Sequence, residues 1–344
     1  MPPVNRRTLL RTLAAAAALT GLAATTGCGD DAAAGGKQAT ELRYQGSVGQ
    51  VTLPELAADL GYLGDVKLNW IGNVTGGPAD IQATATGQSD FGGAFNGAIV
   101  KLATAGAPIT AVVSYYGSDA QTFQGYYVLD DSPIRGPKDL IGRKVGMNTL
   151  GAHAEAVLKT WLVKGGLTPT EIARVELVAL PPVNTEQSLR ARQIDVAVLG
   201  GVIRDKAVAG GGIRTVFTDH QLLGAFSAGS YVFRDDFIRR NPETVKAFVT
   251  GVGRAIEWAR SQPRETVVAR FESIIAKRGR NEDPSLVRYW RSTGVAEKNG
   301  VITDREFATW IDWLADAGEL KAARPKPGDL YTNRFNAAAG GGAS

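Results

Sequence analysis

Residues 142–167, GRKVGMNTLGAHAEAVLKTWLVKGGL, set the frame for the rest of the chain. Gly142, Arg143 and Lys144 form a turn, and Val145, Gly146, Met147 and Asn148 are short and apolar enough for a buried strand. Thr149, Leu150 and Gly151 make a tight loop. From Ala152 onward, Ala154, Val157, Leu158, Trp161 and Leu162 recur at helical spacing until Gly165 and Gly166 stop the run. A strand therefore feeds a Gly-containing turn that opens a helix. The first amides of that helix have no partner within it and carry partial positive charge. Such a turn either receives an oxygen-rich ligand or simply connects two elements.

The same unit repeats on both sides. Strands are expected over 41–45, 66–71, 90–95 and 109–115, with helices over 54–59, 79–86 and 98–105 between them. Asn96 stands at the N-cap position of the last helix. This alternation implies a mainly parallel sheet covered by helices. After a strand over 122–129, a second series follows. It has strands over 174–180, 194–199 and 213–218 and helices over 185–192 and 202–209, the first capped by Asn184. The chain returns through a strand at 231–233 and becomes helical from Asn241-Pro242-Glu243, with later helices over 265–277, 284–291 and 304–317. Thr303 and Glu306 have capping-box spacing. An Ala/Gly-rich tail over 336–344 is expected to be disordered. Two series with one inserted in the other give lobe one as 41–128 plus 231–335 and lobe two as 133–228. Ligands of such sheets sit beyond the strand carboxyl ends, so two facing lobes make one cleft.

Composition narrows the function classes. The 344 residues are 44% hydrophobic and 21% charged, ordinary for a globular chain. The formal charge of +4 falls to +1 without the leader residues Arg6, Arg7 and Arg11, which argues against nucleic-acid binding. A single cysteine, Cys28, excludes an internal disulfide and a multi-cysteine metal site, and no cofactor is expected. Residues 1–27 have the layout of an export signal: a basic start, an apolar run over 13–24, and Thr25-Thr26-Gly27 before Cys28. The Arg6-Arg7 pair resembles a twin-arginine signal. Gly27-Cys28 resembles a lipobox, from which Thr25 departs, so a plain secretion signal remains the alternative. Residues 28–40 are then a flexible tether, and the protein is expected at the outer face of the cytoplasmic membrane or in the periplasm.

Over 41–317 the chain resembles the solute-binding proteins of bacterial ABC importers, in the nitrate/sulfonate/taurine group. The residues that carry the resemblance are DLIGRKV over 139–145 with His153, GQSDFG over 87–92, RQIDVA over 192–197, and 237–259 with Asn241-Pro242-Glu243 and Trp258. Leu199-Gly200-Gly201 departs from the aromatic or acidic residues that relatives often carry there. The resemblance implies a two-lobed periplasmic-binding-protein-like α/β fold of type II, with parallel-rich sheets, flanking helices and a central cleft. It further implies a monomer that closes on a small molecule and delivers it to a permease and its ATPase.

Matching the turns to that family puts Ser47, Gln50, Asn96 and Gly97 on lobe one, and Thr149, Gly151, Ala152, His153, Gly200, Gly201 and Arg204 on lobe two. Tyr115 and Tyr116 end a strand on the same side. Most of these are donors, so an anionic or neutral polar ligand is favoured, with a sulfonate as the leading expectation. Arg204 is expected in the cleft, and no acidic residue is. Two alternatives stand beside this one. The first is a pyrimidine-precursor-binding protein or enzyme of the thiamine-pathway type on the same fold; the enzymes of that type use His and a cysteine cluster, whereas Cys28 lies in the leader. The second is a lipoprotein that senses without transport. AFSAG over 225–229 faintly resembles a hydrolase nucleophile turn, but a strand-like run follows it, and no His lies downstream. Catalysis is therefore not expected.

Overall fold

A computed structural model describes residues 38–320 and 323–340. The leader, Cys28 and most of the tether lie outside the described residues.

Elements follow one another as alternating strands and helices up to β10. The first half has β1 (Glu41–Gly46), α1 (Leu53–Asp59), β2 (Lys67–Asn73), α2 (Gly77–Ala85), β3 (Phe91–Phe95), α3 (Asn96–Thr104) and β4 (Ile109–Ser118). The second half has β5 (Gln124–Leu129), β6 (Lys144–Met147), α4 (His153–Lys164), α5 (Pro169–Ile172), β7 (Glu176–Ala179), α6 (Pro182–Arg190), β8 (Val196–Gly200), α7 (Gly201–Ala209), β9 (Ile213–Thr218) and α8 (Asp219–Leu223). The returning segment has β10 (Phe226–Arg234), α9 (Asp235–Arg240), α10 (Pro242–Ser261), α11 (Arg264–Lys277) and α12 (Asp304–Asp316).

The strands form three sheets: β1-β2, β3-β10-β4 and β7-β6-β8-β5-β9. The first two belong to lobe one and the third to lobe two. Pairing is parallel between β1 and β2 and where β6 meets β7 and β8. It turns antiparallel where β5 and β10 run back through their sheets. The fold is thus mixed α/β and two-lobed.

Three sequence boundaries change. β5, expected to close lobe one, pairs with β8 and β9 in lobe two, because Tyr126 and Tyr127 bury their rings in that lobe. β10 starts at Phe226, not residue 231, and pairs with Ser118 there. The tail expected to be disordered from residue 336 begins with a buried Asn336, whose amide donates to the Asn299 carbonyl at 2.9 Å.

Packing ties the lobes together. One cluster of buried side chains stays within lobe one, around Phe91, Phe233, Phe248 and Val252. A smaller one stays within lobe two, around Tyr127, Leu189 and Leu199. The largest joins Phe95 and Trp310 of lobe one to Met147, Val157 and Leu158 of lobe two. Phe95 and Val198 of this shared core also line the cleft between the strand ends.

Candidate ligand-binding site

The cleft holds two connected compartments, of about 290 Å³ and 450 Å³, with Tyr115, Tyr116, Gln124, Asn148, His153 and Gly200 common to both. Its rims touch. A Cβ added at Gly76 would lie 3.4 Å from the Cβ of Thr149. Arg291 Nε is 3.4 Å from Asp205 Oδ1.

The smaller compartment gathers the starts of four helices. Gly77 and Pro78 open α2, Ala152 and His153 open α4, Pro182 and Thr185 lie in the first turn of α6, and Gly200 precedes α7. None of these four helices has a side-chain cap on its first turn. Each adds the positive end of a macrodipole, and the starts of α4 and α7 leave their first amides without helical partners; Pro78, Pro181 and Pro182 carry no N–H, so α2 and α6 offer fewer donors. Sequence made this possible: the cap residues Gly76, Ala152, Pro181 and Gly200 carry no capping oxygen in their side chains. Gly201 holds φ +52°, a left-handed value that suits glycine, and a Cβ there would meet nothing within 4 Å.

His153 is the centre of the floor. Its ring stacks on Phe95 with centroids 5.3 Å apart, and Tyr116 lies 6.0 Å away. Its Nε2 is 3.2 Å from Oδ2 of Asp219, close enough for an ion pair but not aligned as a hydrogen bond. Asp219 is fully buried, and its Oδ1 accepts from Ser118 Oγ at 2.9 Å and from the Gln124 amide at 3.0 Å. Burial, reinforced by the Asp219 charge, raises the Tyr116 hydroxyl pKa, and burial likewise raises that of Tyr115. Both phenols therefore stay protonated and able to donate.

The wall of lobe one is the loop between β1 and α1. Arg278 clamps it: Nη1 donates to the Gln50 carbonyl at 2.9 Å and Nη2 to the Ser47 carbonyl at 3.3 Å. The same guanidinium reaches Glu55 at 3.1 Å and Glu282, and Glu282 accepts from the Gly49 amide at 3.0 Å. Two carboxylates and a guanidinium, all nearly buried, thus fix this loop.

Of the residues expected from sequence, Ser47, Gln50, Tyr115, Thr149, Ala152, His153, Gly200 and Gly201 line the cleft. Four do not. Asn96 is wholly buried, is the first residue of α3 and not its cap, and bonds Ser230 Oγ at 2.9 Å and the Glu306 carbonyl at 3.3 Å. Gly97 is backed by Phe95, whose ring would lie 2.5 Å from an added Cβ. Gly151 turns away, its amide donating to Glu155 at 2.8 Å. Arg204 is buried, stacks 3.8 Å over Phe123, and directs Nε and Nη2 to Asp205 and the Gln121 carbonyl, leaving Nη1 without a partner among the described residues. The cleft does contain an acidic residue, Asp219, contrary to expectation. Gln124, Asn148, Thr185 and Trp290 also line it and were not picked out. Asn148 and Asp219 follow the ends of β6 and β9, so the strand-end rule could have found them. Trp290, on an irregular segment, left no such signal.

A family profile described as NMT1/THI5 like matches residues 56–266, well over half of the chain. The chain belongs to that NMT1/THI5-like family. A relative of this NMT1/THI5-like chain from Brucella abortus (strain 2308), provisionally named a binding protein, is 26% identical over 278 residues, covering 75% of this chain and 78% of its own. Among solved structures, a protein of Bordetella bronchiseptica RB50 superposes with TM-score 0.71 at 21% identity, covering 86% of this chain and 96% of that one. The alkanesulfonate-binding protein SsuA of Xanthomonas axonopodis pv. citri, bound to MOPS, superposes with TM-score 0.68 at 17% identity, covering 87% and 100%. At these identities the superpositions establish a shared fold.

Proposed function

We propose that this NMT1/THI5-like chain is the extracytoplasmic solute-binding component of an ABC importer. It captures a small anionic or polar organic molecule of the sulfonate, taurine or nitrate type by closure of its two lobes. One observation carries the reading: four uncapped helix starts meet at one cavity between the lobes. Each such end contributes about 0.3–1 kcal/mol to an exposed anion and up to ~2 when partly buried. No Lys or Arg stands among the described residues that line the compartments, so main-chain donors replace a cationic side chain. The likeness of fold to an alkanesulfonate-binding protein supports the same class of ligand.

Under this reading the protein is exported and hands its ligand to a permease and ATPase. Cys28 serves as its lipid anchor, and the twin-arginine pair is the export address. It works as a monomer and releases the ligand unchanged. Two features favour binding over turnover. The Ser118 hydroxyl donates to Asp219 and is not aimed at His153, and Ser227 sits inside β10, where its hydroxyl accepts from the Ala296 amide at 3.1 Å. Each hydroxyl is tied to a neighbouring carboxylate or amide, and among the described residues neither bonds a histidine.

The test is calorimetric titration of the purified protein with alkanesulfonates, taurine and nitrate, with Trp290 fluorescence as a second readout. Saturable binding with the ligand recovered intact is expected. Silence towards every one of these anions removes the assignment, and a chemically altered ligand replaces it with an enzyme.

A further inference from the structure

We infer that the ligand carries a broad apolar body, of aromatic type, attached to its oxyanion. This inference rests on the proposed anion-binding reading and specifies the ligand within it. The compartment that collects the helix starts is the smaller one, at about 290 Å³; the second, at about 450 Å³, opens directly from it past Tyr116 and Gln124. Together they fall in the ~300–1,000 Å³ range of sites for molecules far larger than nitrate or a two-carbon sulfonate. A small anion would leave the second compartment empty.

The second compartment is built for rings. Tyr115 stacks on Tyr231 with centroids 4.2 Å apart and meets Tyr116 edge-on at 4.9 Å, which gives one wall of adjacent aromatic faces. Phe123, Phe271 and Trp290 also line it, and they are held by their neighbours: Arg204 lies 3.8 Å over Phe123, and Phe271 meets Trp290 edge-on at 5.6 Å. Rings that are held before the ligand arrives lose little freedom on binding.

Charge gives the ligand a direction. Asp219 lines only the second compartment, and among its described lining residues no Lys or Arg offsets that carboxylate. An oxyanion there would meet a like charge; the starts of α4 and α7 border both compartments, but those of α2 and α6 border only the first, among whose described lining residues there is no carboxylate. The anionic end is thus assigned to the first compartment and the ring to the second.

The experiment compares three probes by calorimetry on the intact purified protein: methanesulfonate, p-toluenesulfonate and p-cresol. The inference predicts that p-toluenesulfonate binds at least tenfold more tightly than either of the others. In Tyr116→Ala that advantage over methanesulfonate should shrink to about threefold or less; Trp290→Leu gives the same comparison should the first variant not fold. Equal affinity for methanesulfonate and p-toluenesulfonate overturns the ring inference and leaves the anion reading standing. Equal affinity for p-cresol and p-toluenesulfonate overturns the anion reading and leaves the ring. Binding of none of the three overturns both.

Discussion

The imidazole of His153 and the carboxylate of Asp219 approach to 3.2 Å at the floor of the cleft, and neither of the two facing atoms has another partner among the described residues. The pair brings the start of α4 against the start of α8, and through Ser118 and Gln124 it also fastens the ends of β4 and β5. One buried carboxylate therefore organises four chain segments around the ligand cavity.

Asp219→Asn keeps the shape, and its oxygen can still accept from Ser118 and the Gln124 amide, but these bonds lose their charge and the carboxylate facing His153 becomes an amide. Stability should fall by about 1–3 kcal/mol in chemical denaturation. Oxyanion affinity should hold or rise, since a negative charge leaves the cavity. Unchanged stability with weaker anion binding would contradict this account.

Gly200→Asp separates stability from binding. Gly200 is extended at φ −138° at the start of α7, and an added Cβ would come no closer than 4.0 Å to Gln124. The new carboxylate caps the helix, so stability stays level or rises by up to about 1 kcal/mol. It also occupies the anion's place, so affinity should drop at least tenfold. Thermal melting and calorimetry on the same sample measure both.

Arg278→Met removes the clamp from the Ser47 and Gln50 carbonyls and strips a cation from Glu55 and Glu282. Glu55 keeps Arg280 at 3.0 Å, but Glu282 loses the cation it pairs with, and an uncompensated buried charge costs about 3–5 kcal/mol. The denaturation midpoint should fall accordingly, and any remaining folded protein should bind ligand more weakly, because the loop that forms the wall of lobe one is no longer held.

Two buried carboxyls give stability a pH signature. Burial raises Glu306 to about 7, opposed by bonds from Ser227, Thr303 and Ser114, and raises Asp80 to about 7 against one bond from the Gly93 amide. In the unfolded chain the same groups ionise near ~4.3 and ~3.9. Their contribution is therefore fully present below pH ~4 and is lost as pH rises towards 7, because the unfolded chain gives up its protons first. Glu306→Gln should lack its share of that loss. The stability difference between wild type and variant should decline by about 1–3 kcal/mol between pH 4.5 and 7.5, and a flat difference would rule out the raised ionisation.

Much of this architecture was legible in the residues, for a physical reason. The α4 stretch announces itself because apolar spacing and Gly165 are local signals, and α10 likewise follows from Pro242 and its apolar stripe. What sequence could not say was which sheet a strand joins. β5 carries the alternation of any strand, and its place in lobe two is decided by what Tyr126 and Tyr127 pack against. The site divides in the same way. Gly200 and His153 follow from the strand–turn–helix pattern, which fixes where a backbone donor must stand. Asn96 follows the same pattern and yet faces inward, because Ser230 and Glu306, distant in sequence, supply its partners. Arg204 was drawn out of the cleft by its own neighbour, Asp205.

The donors proposed for the anion are peptide groups at the starts of α2, α4, α6 and α7, and that has an evolutionary corollary. No substitution deletes an amide short of introducing proline, so the anion-holding half of the cavity is shielded from most single mutations. The ring-bearing half is written in side chains, where every change alters shape. Descendants of this chain can therefore drift from one organic anion to another while their grip on the charged group persists. A saturation scan of the cleft would register this as a quiet head and a loud body.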